Sequence, residues 1–387
     1  MAVYLDNAAT TPIRREVLEV LTSHLGVVGN PSAVNSFGQA ARRLVEEARE
    51  EIARAVNANR NEVIFLSGGT EADNLAIKGL FEARNKDASR PLVISVATEH
   101  HAVVEAVEYL EKHGAETWWI PVDSRGVLNL EALADFLAVR GGDVSLISAM
   151  WANNETGVVT DIPALVALAS AHGIPVHSDA VAAFGHVPVD FAASGLAALS
   201  ITAHKIGGPV GIGALLVSRA TELGAQIHGG GHERGMRSGT LNAAGAKAFG
   251  KAASIAVAEL AEESSRFSAL TAQVVAGVLE IAPEARFSRG DADGLPNNAH
   301  FTFAGCSGDS LLFLLDQAGV AVSNGSACQA GVAAASHVLL AMGRDEAEAS
   351  GCLRITLGWQ NTPSDIDALL KALPQALAGA RKAGLPN

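Results

Sequence analysis

Apolar positions early in the chain recur at helical spacing, with Ala41, Leu44, Val45, Ala48, Ile52 and Val56 on one face and charged residues between them. That period predicts an amphipathic helix. Further on, the pattern changes to short apolar runs bounded by polar or glycine-containing turns: "EVIFLSGG", "PLVISVATEH", "ETWWIPV", "VSLISAMWANN", "IPVHSDA", "LAALSITAHK" and "IGALLVSR". Runs without polar alternation read as strands buried on both faces, and helical stretches such as "EADNLAIKGLFEARN" lie between them. The alternation predicts an α/β fold with a mostly parallel central sheet covered by helices on both sides. From about Leu260 long helical patterns dominate, with a few strands that include "NNAHFTF" and "CLRITLG", which predicts a smaller α+β C-terminal domain. The expected division is a large domain over 15–259 and a small one made of 1–14 and 260–387.

Composition narrows the function classes. A chain of 387 residues, 49% hydrophobic and 18% charged, has the balance of an ordinary globular protein and exceeds the size at which one core stops growing. Its formal charge of −13, from 41 acidic and 28 basic residues, argues against a general binder of nucleic-acid backbones. The start, "MAVYLDNAATTP", has no basic segment followed by an apolar one, and no apolar run is long enough to cross a bilayer, so a soluble cytoplasmic protein without membrane contact is expected. The three cysteines, Cys306, Cys328 and Cys352, are too few and too scattered for a disulfide framework or a four-ligand zinc site. No metal is expected, and one of the three is a candidate reactive thiol.

Polar residues gather at the ends of the predicted strands. "SGGTEADN", "TEHH", "NNETG", "SDA" and "TAHK" each follow an apolar run, and in an open α/β sheet such carboxyl ends converge on one crevice. Gly68, Gly69 and Thr70 sit where a strand passes into a helix, a place whose free N–H groups suit a phosphate, although a tight turn with a threonine cap fits the same residues. Asp179 after an apolar run needs a partner such as a protonated ring nitrogen, or else a structural hydrogen bond. His100 suits stacking on a planar ligand or proton transfer, or a surface role. Lys205 lies among small and apolar residues in "SITAHKIGGPVGIG", where an ammonium is costly unless paired, and where a lysine amine can form a Schiff base with an aldehyde. A phosphate turn, an aspartate, a histidine and a lysine amine together describe a pocket for pyridoxal 5′-phosphate (PLP).

The order and content of "YLDNAATTP", "GNPSAVNSFG", "SGGTEADNLAIKG", "TEHHAV", "NNETGV", "SDAVAAFGHVPVD", "AHKIGGPVGIGAL", "HGGGHERGMRSGTLN" and "SNGSACQAG" resemble the class V aminotransferase-fold cysteine desulfurases of the NifS/IscS type over nearly the whole chain. The resemblance implies a fold-type I PLP-dependent homodimer. It makes Lys205 the Schiff-base lysine, Asp179 the partner of the pyridine nitrogen, and His100 the residue that stacks on the ring and helps proton transfer. Gly69, Thr70, Thr202 and His204 correspond to the phosphate site, with Thr240 reaching it from the neighbouring subunit. Asn154 is implied beside the cofactor's phenolic oxygen, and Asn30 and Arg354 at the substrate carboxylate. An arginine fits that task through its planar, two-pronged donor edge.

Cys328 in "SNGSACQAGVAAASH" is implied as the nucleophile that takes sulfur from L-cysteine as a persulfide and releases L-alanine; its small and glycine neighbours permit a mobile loop. Cys306 and Cys352 fall in or beside apolar strand-like stretches, where burial is the expected role. The sulfur acceptor is implied to be an iron–sulfur scaffold protein or a thiolation enzyme, reached without a dedicated activator. One position departs from the family: three residues after Asp179, where a glutamine is usual, stands Ala182, which has no hydrogen bond to offer the phenolic oxygen. Another class V PLP enzyme, such as a selenocysteine lyase or an aminotransferase, and a weakly catalytic scaffold on the same fold are the competing readings.

Overall fold

A computed structural model describes residues 2–325 and 335–383. After a short strand β1 (Val3–Tyr4), the seven apolar runs form β2 (Val63–Leu66), β3 (Leu92–Val96), β4 (Glu116–Ile120), β5 (Val144–Ser148), β6 (Val176–Asp179), β7 (Ala198–Thr202) and β8 (Gly213–Val217). They make one sheet in the order β2-β8-β7-β6-β5-β3-β4. The pairs from β7 through to β4 are parallel, while β8 runs antiparallel to both β2 and β7. Two reversals cancel, so β2 points the same way as β7 and its carboxyl end reaches the same edge as the others.

The apolar runs divide by parity, because successive strand residues face opposite sides of the sheet. Val63 and Phe65, Leu92 and Ile94, and Leu199 and Ile201 face one layer, built on the helices Ser36–Ala55, Leu130–Arg140, Ile162–Ser170 and the start of Ala243–Ile281. Ile64 and Leu66, Val93, and Leu215 and Val217 face the other, under Gly69–Arg84 and His101–Lys112. Burial of each such aliphatic side chain contributes on the order of 1.5–3 kcal/mol, which makes this double-sided core the main support of the sheet. The exception to full burial is β4, whose residues Glu116–Trp119 are exposed or half-buried at one edge of the sheet, whereas β2 at the other edge is buried throughout. There Trp118 stacks flat on Phe136 of the neighbouring helix at 4.1 Å.

A separate cluster holds the C-terminal part. After the short strand β9 (Arg286–Phe287) come β10 (Asn298–Thr302), β11 (Val320–Ala321) and β12 (Cys352–Thr356). β10 lies between β12 and β9 as an antiparallel ribbon, and β11 pairs with β1. Leu5, Phe301, Phe303, Leu353 and Ile355 pack there with Leu369 and Leu373 of the final helix Pro363–Ala383. The 39-residue helix Ala243–Ile281 runs unbroken through the boundary expected at 259/260. Its own residues change clusters between Ala256 and Phe267.

Candidate active site

At the carboxyl edge of the sheet lies a cavity of about 340 Å³ lined by residues of all five strand-end groups. It brings together Gly69, Thr70, His100, Asn154, Asp179, His204, Lys205 and Arg354, with Ala182 in its wall. A larger cavity of about 620 Å³ opens at the opposite edge, beside Val176 and Ala197 at the starts of β6 and β7, and gathers none of these groups. Its greater volume carries less weight than the convergence of an amine, imidazoles and carboxylates in the smaller one.

The phosphate end is built from backbone. Gly68 precedes the helix Gly69–Arg84 and offers no side-chain cap, so the first amides of that helix keep their donors toward the cavity side. A Cβ on Gly69 would stand 2.7 Å from Cγ2 of Val181, so only glycine lets the helix start approach the turn after β6 this closely. Glu71 in the same first turn is drawn aside by Arg237, whose Nε donates to it at 2.8 Å, and accepts from the Ser67 amide at 2.7 Å. The acid is thereby kept from opposing an anion. His204 lies 3.2 Å from the Thr10 hydroxyl, and its pKa is lowered to about 4 by burial and then by the Lys205 charge.

Lys205 follows β7. Its Nζ donates to the carbonyls of Ala8 and, at 3.0 Å, Ala9, so a segment from the far N-terminus holds the amine in the cavity. Thr11 reinforces that segment by donating its hydroxyl to the Lys205 carbonyl at 3.1 Å. His100 caps the helix His101–Lys112, its Nδ1 accepting from the Ala102 amide at 3.1 Å, and burial lowers its pKa to about 4, with the Lys205 charge acting the same way. It is a neutral imidazole at pH 7.

Asp179 ends β6 almost fully buried and accepts from the Val181 amide at 2.8 Å; burial raises its pKa to about 6, against the pull of Lys205. Two more buried carboxyls stand near it. Asp73, one helical turn after Gly69 and so on the same face, lines the cavity, and burial followed by the Asp179 charge pushes it well above the usual range. Glu99 is pushed up in the same way, while its Oε1 accepts from the Met150 amide at 2.6 Å. His177 lies 3.6 Å from Asp73, yet burial holds its pKa near 3, so the imidazole is uncharged and the contact is not an ion pair. Among these acids Asp179 is the one beside the lysine, and the one best placed to carry charge.

The fit to PLP can be judged on this geometry. A helix start with uncapped amides meets the need of a phosphate, Lys205 that of an aldehyde, and Asp179 that of a protonated ring nitrogen. The buried Oδ1 of Asn154, a residue of the cavity wall, has no hydrogen-bond partner, as expected where a polar group would complete the site. The residues fit the cofactor.

Some expected residues stand elsewhere. The hydroxyl of Thr202 is buried and donates to the Ile212 carbonyl at 3.2 Å rather than lining the cavity. Asn30 and Thr240 are exposed and outside it. Cys328 lies outside the described residues; Gly325, just before it, lines the cavity. Cys306 and Cys352 are buried free thiols, as expected, and burial pushes Cys352 up to about 12. Asp6, Ala8 and Ala9 were not singled out by the strand-end pattern, because nothing local in "YLDNAATTP" shows that it folds against β12 and the lysine turn.

Fold and cavity together define a fold-type I PLP-dependent enzyme, with a lysine, a buried aspartate and a helix start at the carboxyl edge of a mostly parallel sheet. The sequence profile of the class-V aminotransferases matches residues 3–369, and the chain belongs to that family, whose members depend on PLP. It is 47% identical over 385 residues to an IscS-like cysteine desulfurase of Mycobacterium tuberculosis, covering 99% of this chain and 98% of the relative. Cysteine desulfurase IscS of Clostridium botulinum is 39% identical, with 98% and 95% covered. Among solved structures, a NifS-like protein superposes with a TM-score of 0.90 at 34% identity, over 98% of this chain and all of that one. A structure of SspA in complex with cysteine gives 0.77 at 31% identity, over 92% and 98%.

Proposed function

We propose that the protein is a cysteine desulfurase, converting L-cysteine to L-alanine and passing the sulfur to an acceptor protein. The observation that carries this reading is the cavity in which Lys205, Asp179, His100 and Arg354 meet beside Gly325, three residues before Cys328. Bound PLP would supply an electron sink for the charge that develops at the substrate α-carbon. Lys205 would anchor the cofactor and move the α-proton, Asp179 would keep the ring nitrogen protonated, and neutral His100 would relay protons at pH 7. Arg354 would bind the substrate carboxylate. The Cys328 thiolate would attack the substrate sulfur, so that the carbon–sulfur bond breaks, a sulfur–sulfur bond forms on the enzyme, and the protonated carbon skeleton leaves as L-alanine.

The active unit in this reading is a homodimer. Exposed Leu25, Val28, Val34 and Phe37 form an apolar run on the surface of this chain, a run that a second copy would cover. Asn30 lies within it, and exposed Thr240 would complete the neighbour's phosphate site. The division into a large domain, 15–259, and a small one carrying the Cys328 segment belongs to the same proposal, as does a cytoplasmic setting, where thiols such as Cys306 and Cys352 stay reduced. An iron–sulfur scaffold or a thiolation enzyme would take the sulfur.

The test is release of alanine and sulfide from L-cysteine by the PLP-loaded protein with a reductant present, compared with Cys328→Ser. Equal amounts of both products from the parent, and their loss in the variant, are expected. Retained turnover in Cys328→Ser would remove the thiol's role and favour a lyase acting on another substrate.

A further inference from the structure

Arg354 sits in the middle of β12 with 5% of its side chain exposed, a position in which an unpaired guanidinium is unfavourable. Its Nη2 donates to Oδ1 of Asp6 at 2.9 Å and its Nη1 to the carbonyl of Asn154 at 2.9 Å. Its Nε is buried without a hydrogen-bond partner, and the side chain lines the cavity. A guanidinium has five N–H donors in a fixed plane; with these two contacts made, donors on Nε and on each terminal nitrogen remain. A free guanidinium edge is what a carboxylate accepts from in a paired, two-pronged contact.

Asp6 is itself held firmly. The Leu5 carbonyl accepts from the Thr356 amide at 2.7 Å, the Ala8 amide donates to the Thr356 hydroxyl at 2.8 Å, and the Asn7 side chain donates to the Thr356 carbonyl at 2.8 Å. The Tyr4 hydroxyl donates to the Asp6 carbonyl at 2.9 Å. The carboxylate therefore projects from a segment tied on both sides to the end of the same strand that carries Arg354. Other ionisable groups near the guanidinium are Tyr4, His100, Glu155, His300 and Cys352, and burial disfavours the charged form of each. Asp6 is the carboxylate in direct contact with the arginine.

We infer that Asp6 is a positioning residue for substrate recognition: by fixing one terminal nitrogen of Arg354, it turns the remaining donors of that side chain toward the α-carboxylate of an amino-acid substrate. The inference rests on the desulfurase reading for the identity of the substrate, but the carboxylate preference can be read without turnover. Removing Asp6 frees the guanidinium to rotate or to seek other acceptors, and the loss falls on ligands that carry a carboxylate.

The experiment uses PLP-loaded parent, Asp6→Ala and Asp6→Asn. Binding of L-alanine and of ethylamine, the same skeleton without the carboxylate, is followed through the cofactor's absorbance. KM and kcat for L-cysteine are measured alongside cofactor affinity. Asp6→Ala is expected to weaken L-alanine at least 10-fold and to raise KM by a similar factor, with ethylamine binding, cofactor affinity and kcat each within about twofold of the parent. Asp6→Asn, which keeps an oxygen acceptor, is expected to recover most of the loss and serves as the test if the alanine variant does not fold. Unchanged L-alanine binding in both variants overturns the inference, as does an equal weakening of L-alanine and ethylamine. If the parent produces no alanine from cysteine, the desulfurase reading fails while the comparison of the two ligands still decides the role of Asp6.

Discussion

Arg49 and Glu233 form a two-pronged ion pair inside the protein, at 2.8 and 2.7 Å, with the Glu233 side chain 1% exposed. Glu233 also accepts from the Phe65 amide at 2.7 Å, and Arg49 donates to the Val63 carbonyl at 2.6 Å, so the pair closes the backbone groups of β2 that face away from β8. It fastens the segment leading to Thr240 to the edge of the central sheet. Glu233 holds φ at +46° and Arg234 at +59°, a left-handed backbone that non-glycine residues adopt when surrounding contacts impose it.

Breaking this pair removes the buried counter-charge of Arg49, leaving it the half-exposed Glu46 at 3.2 Å and the Val63 carbonyl, and leaves the Phe65 amide buried without its acceptor. Glu233→Ala is therefore expected to lower stability by about 3–5 kcal/mol. Denaturant unfolding of parent and variant measures the difference; a loss below about 1 kcal/mol would show that the pair is dispensable.

Gly69→Ala places a methyl 2.7 Å from Val181 and pushes apart the helix start and the turn after β6. Stability should fall by about 1–3 kcal/mol, and cofactor affinity by more than tenfold, because the phosphate amides move with the helix. Titration of the cofactor-free protein with PLP, followed by fluorescence, checks this; unchanged affinity would mean that the helix start does not hold the phosphate.

Ala182→Gln restores a donor on the wall shared with Asn154, whose Oδ1 is buried without a partner. The absorbance maximum of the bound cofactor and its pH dependence are expected to shift in the variant. An identical spectrum across pH would show that position 182 does not reach the cofactor.

His300 is fully buried beside Ser288, 2.7 Å from its hydroxyl, and burial, then the Arg354 charge, lowers its pKa to about 3. The unfolded chain takes up a proton at this residue below about pH 6.5, whereas the folded chain does not until near 3. The stability that neutral His300 contributes is thus complete above pH 6.5 and declines as pH falls, by about 1.4 kcal/mol per unit. His300→Gln lacks this titration, so the stability difference between parent and variant should narrow between pH 6.5 and 4. Parallel pH curves would contradict the assignment.

Much of this was legible before the fold was known. The apolar runs mark every strand of the central sheet, because strands sandwiched between helices need apolar residues on both faces. Lys205, His100, Asp179, Gly69 and Asn154 could be placed together because each follows such a run. The Asp6–Arg354 contact could not, since it joins residues 348 apart and depends on how the N-terminal segment docks against β12. Thr202 belongs to the right strand, but strand parity turns its hydroxyl to the Ile212 carbonyl. Asn30 and Thr240 lie beyond the reach of one chain's geometry if, as proposed, a second copy supplies their setting.

The helix Ala243–Ile281, 39 residues and about 58 Å long at 1.5 Å per residue, lends one flank to the core under the sheet and another to the core behind β10 and β12. It works as a girder between them. Since such a helix owes its stability to what it packs against, heat or force that strips one cluster removes half the support on which the other relies. Loss of either cluster is accordingly expected to weaken the other, and a cut along this girder would weaken both ends at once.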